Sequence, residues 1–264
     1  MLKKRIIFAL LYSDGYFFLS RNFRLQKVGD VNWLINNFGF GKTCHFIDEL
    51  ICLLIKENPT KDDKNKFFSD INNLRKKFFV PITLGGGIRT LNDAKIFFLN
   101  GADKIMLNSA VYDTTLIQSI SDLYGEQSIS VKVDYRMSDN GNERNIFING
   151  GSKFKVTLSD FIINYLDLFL YGEIIFNSID QSGSGAGFDM EILKKLPDRI
   201  VKPFLLMGGA GMPEHICDAL KIAKVSGLVT SNLFNFLGTG LEVCRKKSLE
   251  NGINLAKFSS VELV

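Results

Sequence analysis

The sequence predicts an α/β protein: a single (β/α)8 TIM barrel made of two similar halves. Three observations lead there. Eight short apolar runs alternate with helix-like stretches along the 264 residues. The runs are nearly continuous in Ile, Leu, Val and Phe, which marks strands covered on both faces, as parallel strands are. A glycine turn and its flanking residues also occur twice, half a chain apart. A doubly wound open sheet is the runner-up. No Pro/Gly/Ser-rich linker divides the chain, so residues 1–264 read as one barrel domain.

The first run, residues 5–11, ends in a polar turn at Ser13-Asp14-Gly15. Its basic start and apolar continuation resemble a signal peptide, but the apolar part is short and lacks a small-residue cleavage site, so it reads as a buried strand. The second run covers 50–55. The third, 80–84, leads into Gly85-Gly86-Gly87-Ile88-Arg89, with a helix expected over 91–100. The fourth, 104–107, leads into Asn108-Ser109-Ala110, and the fifth, 129–134, ends on Asp134. The sixth, 173–179, precedes Ser182-Gly183-Ser184-Gly185-Ala186-Gly187, a flexible loop placed where a substrate lid would lie. The seventh, 203–207, leads into Gly208-Gly209-Ala210-Gly211 and a helix over 213–223, with Pro213 in its first turn and His215 on its surface or at its end. The eighth, 227–230, ends in Ser231-Asn232. Arg245-Lys246-Lys247 reads as the exposed face of a last helix.

The repeat has three parts. Val80-Pro81-Ile82-Thr83-Leu84-Gly85-Gly86-Gly87 resembles Lys202-Pro203-Phe204-Leu205-Leu206-Met207-Gly208-Gly209. Nearly the same shift carries Asn108-Ser109 onto Thr230-Ser231 and Asp48-Glu49-Leu50-Ile51 onto Gly172-Glu173-Ile174-Ile175. Two halves of four strand–helix units would close a pseudo-twofold barrel.

Composition narrows the function. A net charge of +4 spread over the chain does not point to nucleic acid. No apolar run is long enough for a transmembrane helix. Cys44, Cys52, Cys217 and Cys244 form no CxxC pair and read as reduced thiols of a cytoplasmic protein. With only His45 and His215 in the chain, neither a metal site nor a cofactor is expected.

The two glycine turns carry the chemistry. Glycine lets backbone approach an anion closely and adopt positive φ, and a following helix start adds free N–H donors and a favourable dipole. Gly86 and Gly87 with Asn108 and Ser109 form one expected phosphate cradle. Gly208, Gly209 and Gly211 with Ser231 and Asn232 form the other. Plain turn and capping chemistry is the alternative. Two cradles across one mouth imply a doubly phosphorylated small molecule, or the trace of an ancestor that bound one.

These motifs resemble a known family. Lys4-Arg5-Ile6-Ile7, Ser13-Asp14-Gly15, Asp48-Glu49-Leu50, the 85–89 turn, Gly101-Ala102-Asp103-Lys104, Asn108-Ser109-Ala110, Asn177-Ser178-Ile179-Asp180 and Gly208-Gly209-Ala210-Gly211 follow its order. They are similar to the cyclase subunit of imidazole glycerol phosphate synthase. The resemblance implies a heterodimer with a glutaminase subunit, whose ammonia crosses the barrel. It further implies two catalytic aspartates, at the ends of the first and fifth strands. Asp134 matches the second, but Leu11 occupies the first position. Leu54, Leu19 and Ser182 replace three further polar residues of the family. Leucine transfers no proton, so cyclase activity is expected to be lost or poor.

The other end is complete. Arg5, Glu49, Lys104 and Glu173 each begin or precede an apolar strand, where alternation faces them to the axis and their charges balance. The resemblance assigns these four to the gate through which ammonia enters, and Asp103 to the glutaminase-facing surface. With Ala9-Leu10-Leu11 in the first strand, the chain resembles a divergent branch associated with amidation of surface-polysaccharide sugars, which works beside a sugar amidotransferase. Three functions compete: an ammonia-handling barrel subunit of such an amidotransferase complex, a working cyclase of histidine biosynthesis, and a non-catalytic activator of the glutaminase.

Overall fold

The structure, a computed structural model, describes residues 2–37, 44–77, 79–167, 170–198, 201–231 and 239–257. Eight strands pair in parallel and close on themselves: β1 (Arg5–Ser13), β4 (Glu49–Leu54), β5 (Ile82–Gly85), β6 (Lys104–Leu107), β7 (Ile129–Met137), β10 (Glu173–Ser178), β11 (Phe204–Met207) and β12 (Val225–Thr230), which returns to β1. The apolar runs thus became the strands of a (β/α)8 barrel, displaced by at most a few residues from their expected limits.

Two hairpins were not foreseen. β2 (Tyr16–Arg21) and β3 (Arg24–Gly29) continue antiparallel from β1, and β8 (Arg144–Ile148) and β9 (Lys153–Thr157) continue from β7. The second hairpin turns on Asn149-Gly150-Gly151, all three at positive φ, and its Asn-Gly pair is a hairpin signal that the sequence does carry. The first turns on Asn22 and Phe23, also at positive φ, where phenylalanine gives no such cue.

Helices pack outside: α1 (Val31–Asn37), α2 (Lys61–Arg75), α3 (Leu91–Leu99), α4 (Thr114–Tyr124), α5 (Leu158–Asn164), α6 (Ile192–Lys195), α7 (Pro213–Lys221) and α8 (Gly240–Glu250). Local chemistry starts several of them. Thr60 with Asp63, and Thr90 with Asp93, form reciprocal capping boxes on α2 and α3, and Pro213 opens α7 as expected. Alternation splits each strand between two cores. Outward residues such as Ile6, Phe8, Leu50, Cys52, Leu84, Val131, Phe176 and Phe204 meet the helices, and a smaller set fills the barrel. Leucine, isoleucine and phenylalanine make up most of the outer layer. Phe176 lies with its ring centroid 5.2 Å from Phe204 and 6.3 Å from Phe161, and Phe67, Phe68 and Phe97 form a second group.

Three smaller expectations are corrected or narrowed. Arg245 is not on an exposed face: it is buried, with Nη1 and Nη2 donating to Asp48 at 3.0 and 2.8 Å and Nη2 to the Ala256 carbonyl at 2.6 Å. Asp48 also accepts the Ile6 N–H at 2.8 Å, so one carboxylate joins β1 to α8. Of the surface and helix-end placements expected for His215, the structure has the helix end, half-buried in the first turn of α7. The 182–187 loop is tied down, with the Gly187 N–H on the Gly209 carbonyl at 2.7 Å and the Ser182 carbonyl accepting from Asn22 N–H at 2.7 Å. Cys52, Cys217 and Cys244 are buried thiols. Among the described residues no helix is long and apolar enough to cross a membrane.

Removing one member of a buried ion pair strands its partner, which costs about 3–5 kcal/mol. Arg245→Met should therefore lower the unfolding free energy by that order, measured by urea denaturation followed by circular dichroism. A loss under about 1 kcal/mol, typical of an exposed pair, would show that the clamp carries little.

Candidate functional site

Polar groups collect at both ends of the barrel axis, and an apolar layer lies between them. At the foot, Arg5, Glu49, Lys104 and Glu173 are the first residues of β1, β4, β6 and β10. They meet in a closed ring. Arg5 Nη1 donates to Glu49 Oε1 at 2.6 Å and to Glu173 Oε2 at 2.8 Å. Lys104 Nζ donates to Glu49 Oε2 at 2.7 Å and to Glu173 Oε1 at 3.0 Å. Ser130, inward on β7, adds a hydrogen bond to Glu173. Burial by itself would raise the Glu173 pKa. The Lys104 and Arg5 charges and the Ser130 hydroxyl outweigh it and hold the carboxyl below its ordinary 4.5. Arg5 is the mirror case: burial opposes its charge, but Glu173 and Glu49 raise its pKa above the usual value.

The residue before two of these charges fixes a neighbouring strand. Asp48 takes the Ile6 N–H, and Asp103 takes the Ile82 N–H at 2.8 Å. Asp103 is exposed on this N-terminal face. Leu2, Phe79 and Val201, which precede β1, β5 and β11, are strongly exposed as well.

Above the ring the axis is filled by Ile7, Ala9, Ile51, Leu53, Met106, Ile175, Leu205 and Val229, with Leu11, Ile55 and Met207 packed on them. Leu11 therefore belongs to the inward column of β1 that starts at Arg5. Leu54 does not share this direction. It is buried in the outer core, and Leu53 and Ile55 face the axis instead.

β7 presents Ser130, Lys132 and Asp134 inward at alternate positions, from Ser130 at the foot to Asp134 at the C-terminal mouth. Asp134 has no exposed surface. Its Oδ1 accepts from Asn177 Nδ2 at 2.6 Å and faces Lys132 Nζ at 3.1 Å, while Oδ2 accepts from Asn108 Nδ2 at 3.2 Å. Lys132 escaped the sequence reasoning. Its signal was a lysine inside an apolar strand, in phase with Asp134.

A cavity of about 590 Å³ opens here, bounded by the end of β4, the 85–89 turn, Asn108, Ser109, Lys132, Asp134 and the Asn149-Gly150 turn. Gly86 has φ +96°, and a Cβ there would fall 1.9 Å from the Leu54 carbonyl oxygen, so only glycine fits. The flanking side chains differ from expectation. Asn108 Nδ2 is spent on the Lys132 carbonyl at 2.8 Å and on Asp134, and Ser109 Oγ donates to Asn149 Oδ1 at 2.9 Å. Ser109 opens only a four-residue 3-10 turn. The helix itself, α4, starts at Thr114 with Asp113 accepting the Thr115 and Leu116 N–H groups, so an acid holds the dipole end foreseen for phosphate.

The second turn is closed. Gly208 and Gly209 have φ +93° and +111°, and a Cβ on Gly209 would fall 1.9 Å from the Gly187 carbonyl oxygen. The space left, about 20 Å³, is lined by Asn177, Gly208, Gly209, Thr230 and Ser231 among others. Gly211 donates its N–H to His215 Nδ1 at 3.2 Å. Asn232 lies outside the described residues. Across the mouth, the tip of the β2–β3 hairpin brings Phe23 close to Gly151 and beneath Lys132, 5.7 Å from Nζ to the ring centroid. Among the described residues no group of three or more His, Cys, Asp or Glu could hold a metal ion.

The sequence is similar to those of known proteins. The histidine biosynthesis protein family matches residues 47–237. A protein of Parasynechococcus marenigrum, provisionally described as imidazole glycerol phosphate synthase subunit hisF2, is 40% identical over 98% of this chain and 95% of its own. Imidazole glycerol phosphate synthase subunit HisF of Pyrococcus furiosus is 32% identical over 88% of this chain and 90% of its own. The HisF subunit of Lachnoclostridium phytofermentans is 30% identical over 88% and 89% respectively.

The ring makes a pH prediction. Because the folded-state pKa of Glu173 lies below its unfolded value, its stabilisation is present above about pH 4.5 and is lost as pH falls through the folded value. Glu173→Gln should cost about 3–5 kcal/mol at neutral pH and flatten the acid limb of the stability curve. Urea midpoints of both proteins from neutral pH to about pH 3 test this, and parallel curves would count against it.

Proposed function

We propose that this chain, which belongs to the family of cyclase subunits of imidazole glycerol phosphate synthase within the histidine biosynthesis proteins, is the barrel subunit of a glutamine amidotransferase complex. A glutaminase docks on the N-terminal face, and its ammonia enters through the ring of Arg5, Glu49, Lys104 and Glu173. The closed, charge-balanced ring is the observation that carries this reading, since a partner that only activated a glutaminase would need no polar opening on the axis. The exposed Leu2, Phe79 and Val201 on the same face support a docking surface there. Beyond the ring, the apolar layer suits a small neutral molecule and disfavours ions.

The mouth then receives a phosphorylated small molecule, with backbone N–H groups of the 86–87 turn, which borders the larger cavity, as its phosphate contacts. Asp134 is the proton-transfer group that the family pattern retains. Leu11, packed in the apolar layer, leaves it without a carboxylate at the end of β1. This supports amidation of another acceptor, a surface-polysaccharide sugar served by a sugar amidotransferase, over ring closure to imidazole glycerol phosphate. A working cyclase is the second reading, favoured by Asp134 beside the larger cavity.

Two experiments separate these readings. Loss of a positioned acid or base typically costs about 10²–10⁴-fold in rate, so the chain should fail to restore growth of a cyclase-deficient histidine auxotroph. Robust growth would establish the cyclase. In the reconstituted complex, Lys104→Ala should leave glutamine hydrolysis running while the ratio of amidated acceptor to glutamate falls. An unchanged ratio in a folded variant would mean that the ring is structural and does not gate ammonia.

A further inference from the structure

We infer that Lys132 is the anchoring cation of the larger mouth cavity, where it holds an oxyanion, phosphate or carboxylate, of the bound ligand. This deepens the reading of the mouth as a ligand site and rests on it. Lys132 is mostly buried, lines the cavity, and sits on β7 two residues before Asp134. A lysine ammonium carries three N–H donors. The partners of Lys132 Nζ are Asp134 Oδ1 at 3.1 Å and the Phe23 ring at 5.7 Å, so one carboxylate oxygen takes at most part of its donor capacity beside the cavity that it lines.

The other charged groups of the lining are occupied or at the rim. Lys56 Nζ bridges Asp14 at 2.8 Å and Asp63 at 2.9 Å. Arg89 Nη2 is on the Glu57 carbonyl at 2.9 Å, and the Glu57 side chain is exposed. Asp113 caps α4. The two side chains expected to meet phosphate in this half, Asn108 and Ser109, have their hydrogen bonds within the protein. Asp134 pairs with Lys132 from the buried side and is itself closed off by Asn108 and Asn177, whereas the Lys132 ammonium keeps a solvent-accessible side at the cavity. Lys132 is thus the cation that an acidic group entering from the glycine-turn side would reach, and a charge-assisted hydrogen bond there is about twice as strong as a neutral one.

The test uses the full chain with inorganic phosphate and malonate as separate probes, titrated by calorimetry and followed by the side-chain ¹³Cε resonance of Lys132. Phosphate binding with a Lys132 shift, a Kd at least about tenfold weaker in Lys132→Met and recovery in Lys132→Arg would support the inference. Malonate in place of phosphate would assign the oxyanion as a carboxylate. Binding with equal Kd in Lys132→Met and no Lys132 shift would overturn the anchoring role and leave the mouth as a ligand site. No binding of either probe would overturn both. If Lys132→Met does not fold, the resonance of the unaltered chain decides: a probe that binds without moving it overturns the role.

Discussion

Four charged side chains stand inside a closed barrel, and they can remain there only by neutralising one another. Desolvation alone would raise the Glu173 pKa and disfavour its charge. The two cations reverse that, and Glu49 completes the circuit with hydrogen bonds from both. Much else follows from this requirement. The strands must start level, or the four heads could not meet. Asp48 and Asp103, just ahead of β4 and β6, tie these starts to their neighbours by taking the Ile6 amide of β1 and the Ile82 amide of β5, and Arg245 holds Asp48 in turn. The foot of the barrel is a polar lattice, and the apolar layer rests on it.

How much of this was legible in the sequence depended on which direction a residue faced. Parallel strands buried on both sides write themselves as unbroken apolar runs, so all eight were visible. Residues at strand starts were visible too, because a charge beside such a run has few places to go. Inward residues in the middle of a strand were harder. Lys132 interrupts a run at the same phase as Asp134, but phase alone does not say whether the shared side is the axis or the helices. Leu54 shows the same limit from the other side: its number matched, and its side chain points outward. Arg245 looked like one of three solvated basic residues because its partner lies 197 positions away. The hairpins were hidden for a different reason. Their strands are half-exposed extensions beyond the barrel rim, with no continuous apolar signal.

The internal repeat survives in backbone and has diverged in side chains. Both halves keep a glycine turn at positive φ where a Cβ would strike a carbonyl oxygen. In the first half that turn borders an open cavity with charged walls. In the second the 182–187 loop settles on it and leaves room for about one water-sized molecule. A duplicated framework thus presents two different solvent environments on one face.

The β2–β3 hairpin gives that difference a kinetic meaning. Its tip touches the turn after β8 through Phe23 and Gly151 and the loop after β10 through Asn22 and Ser182, so it spans the mouth as a strut. Two compartments divided by a strut exchange their contents by way of bulk solvent or by breaking those tip contacts. A molecule held in the larger cavity is thus walled off from the closed turn of the second half, which admits about one water.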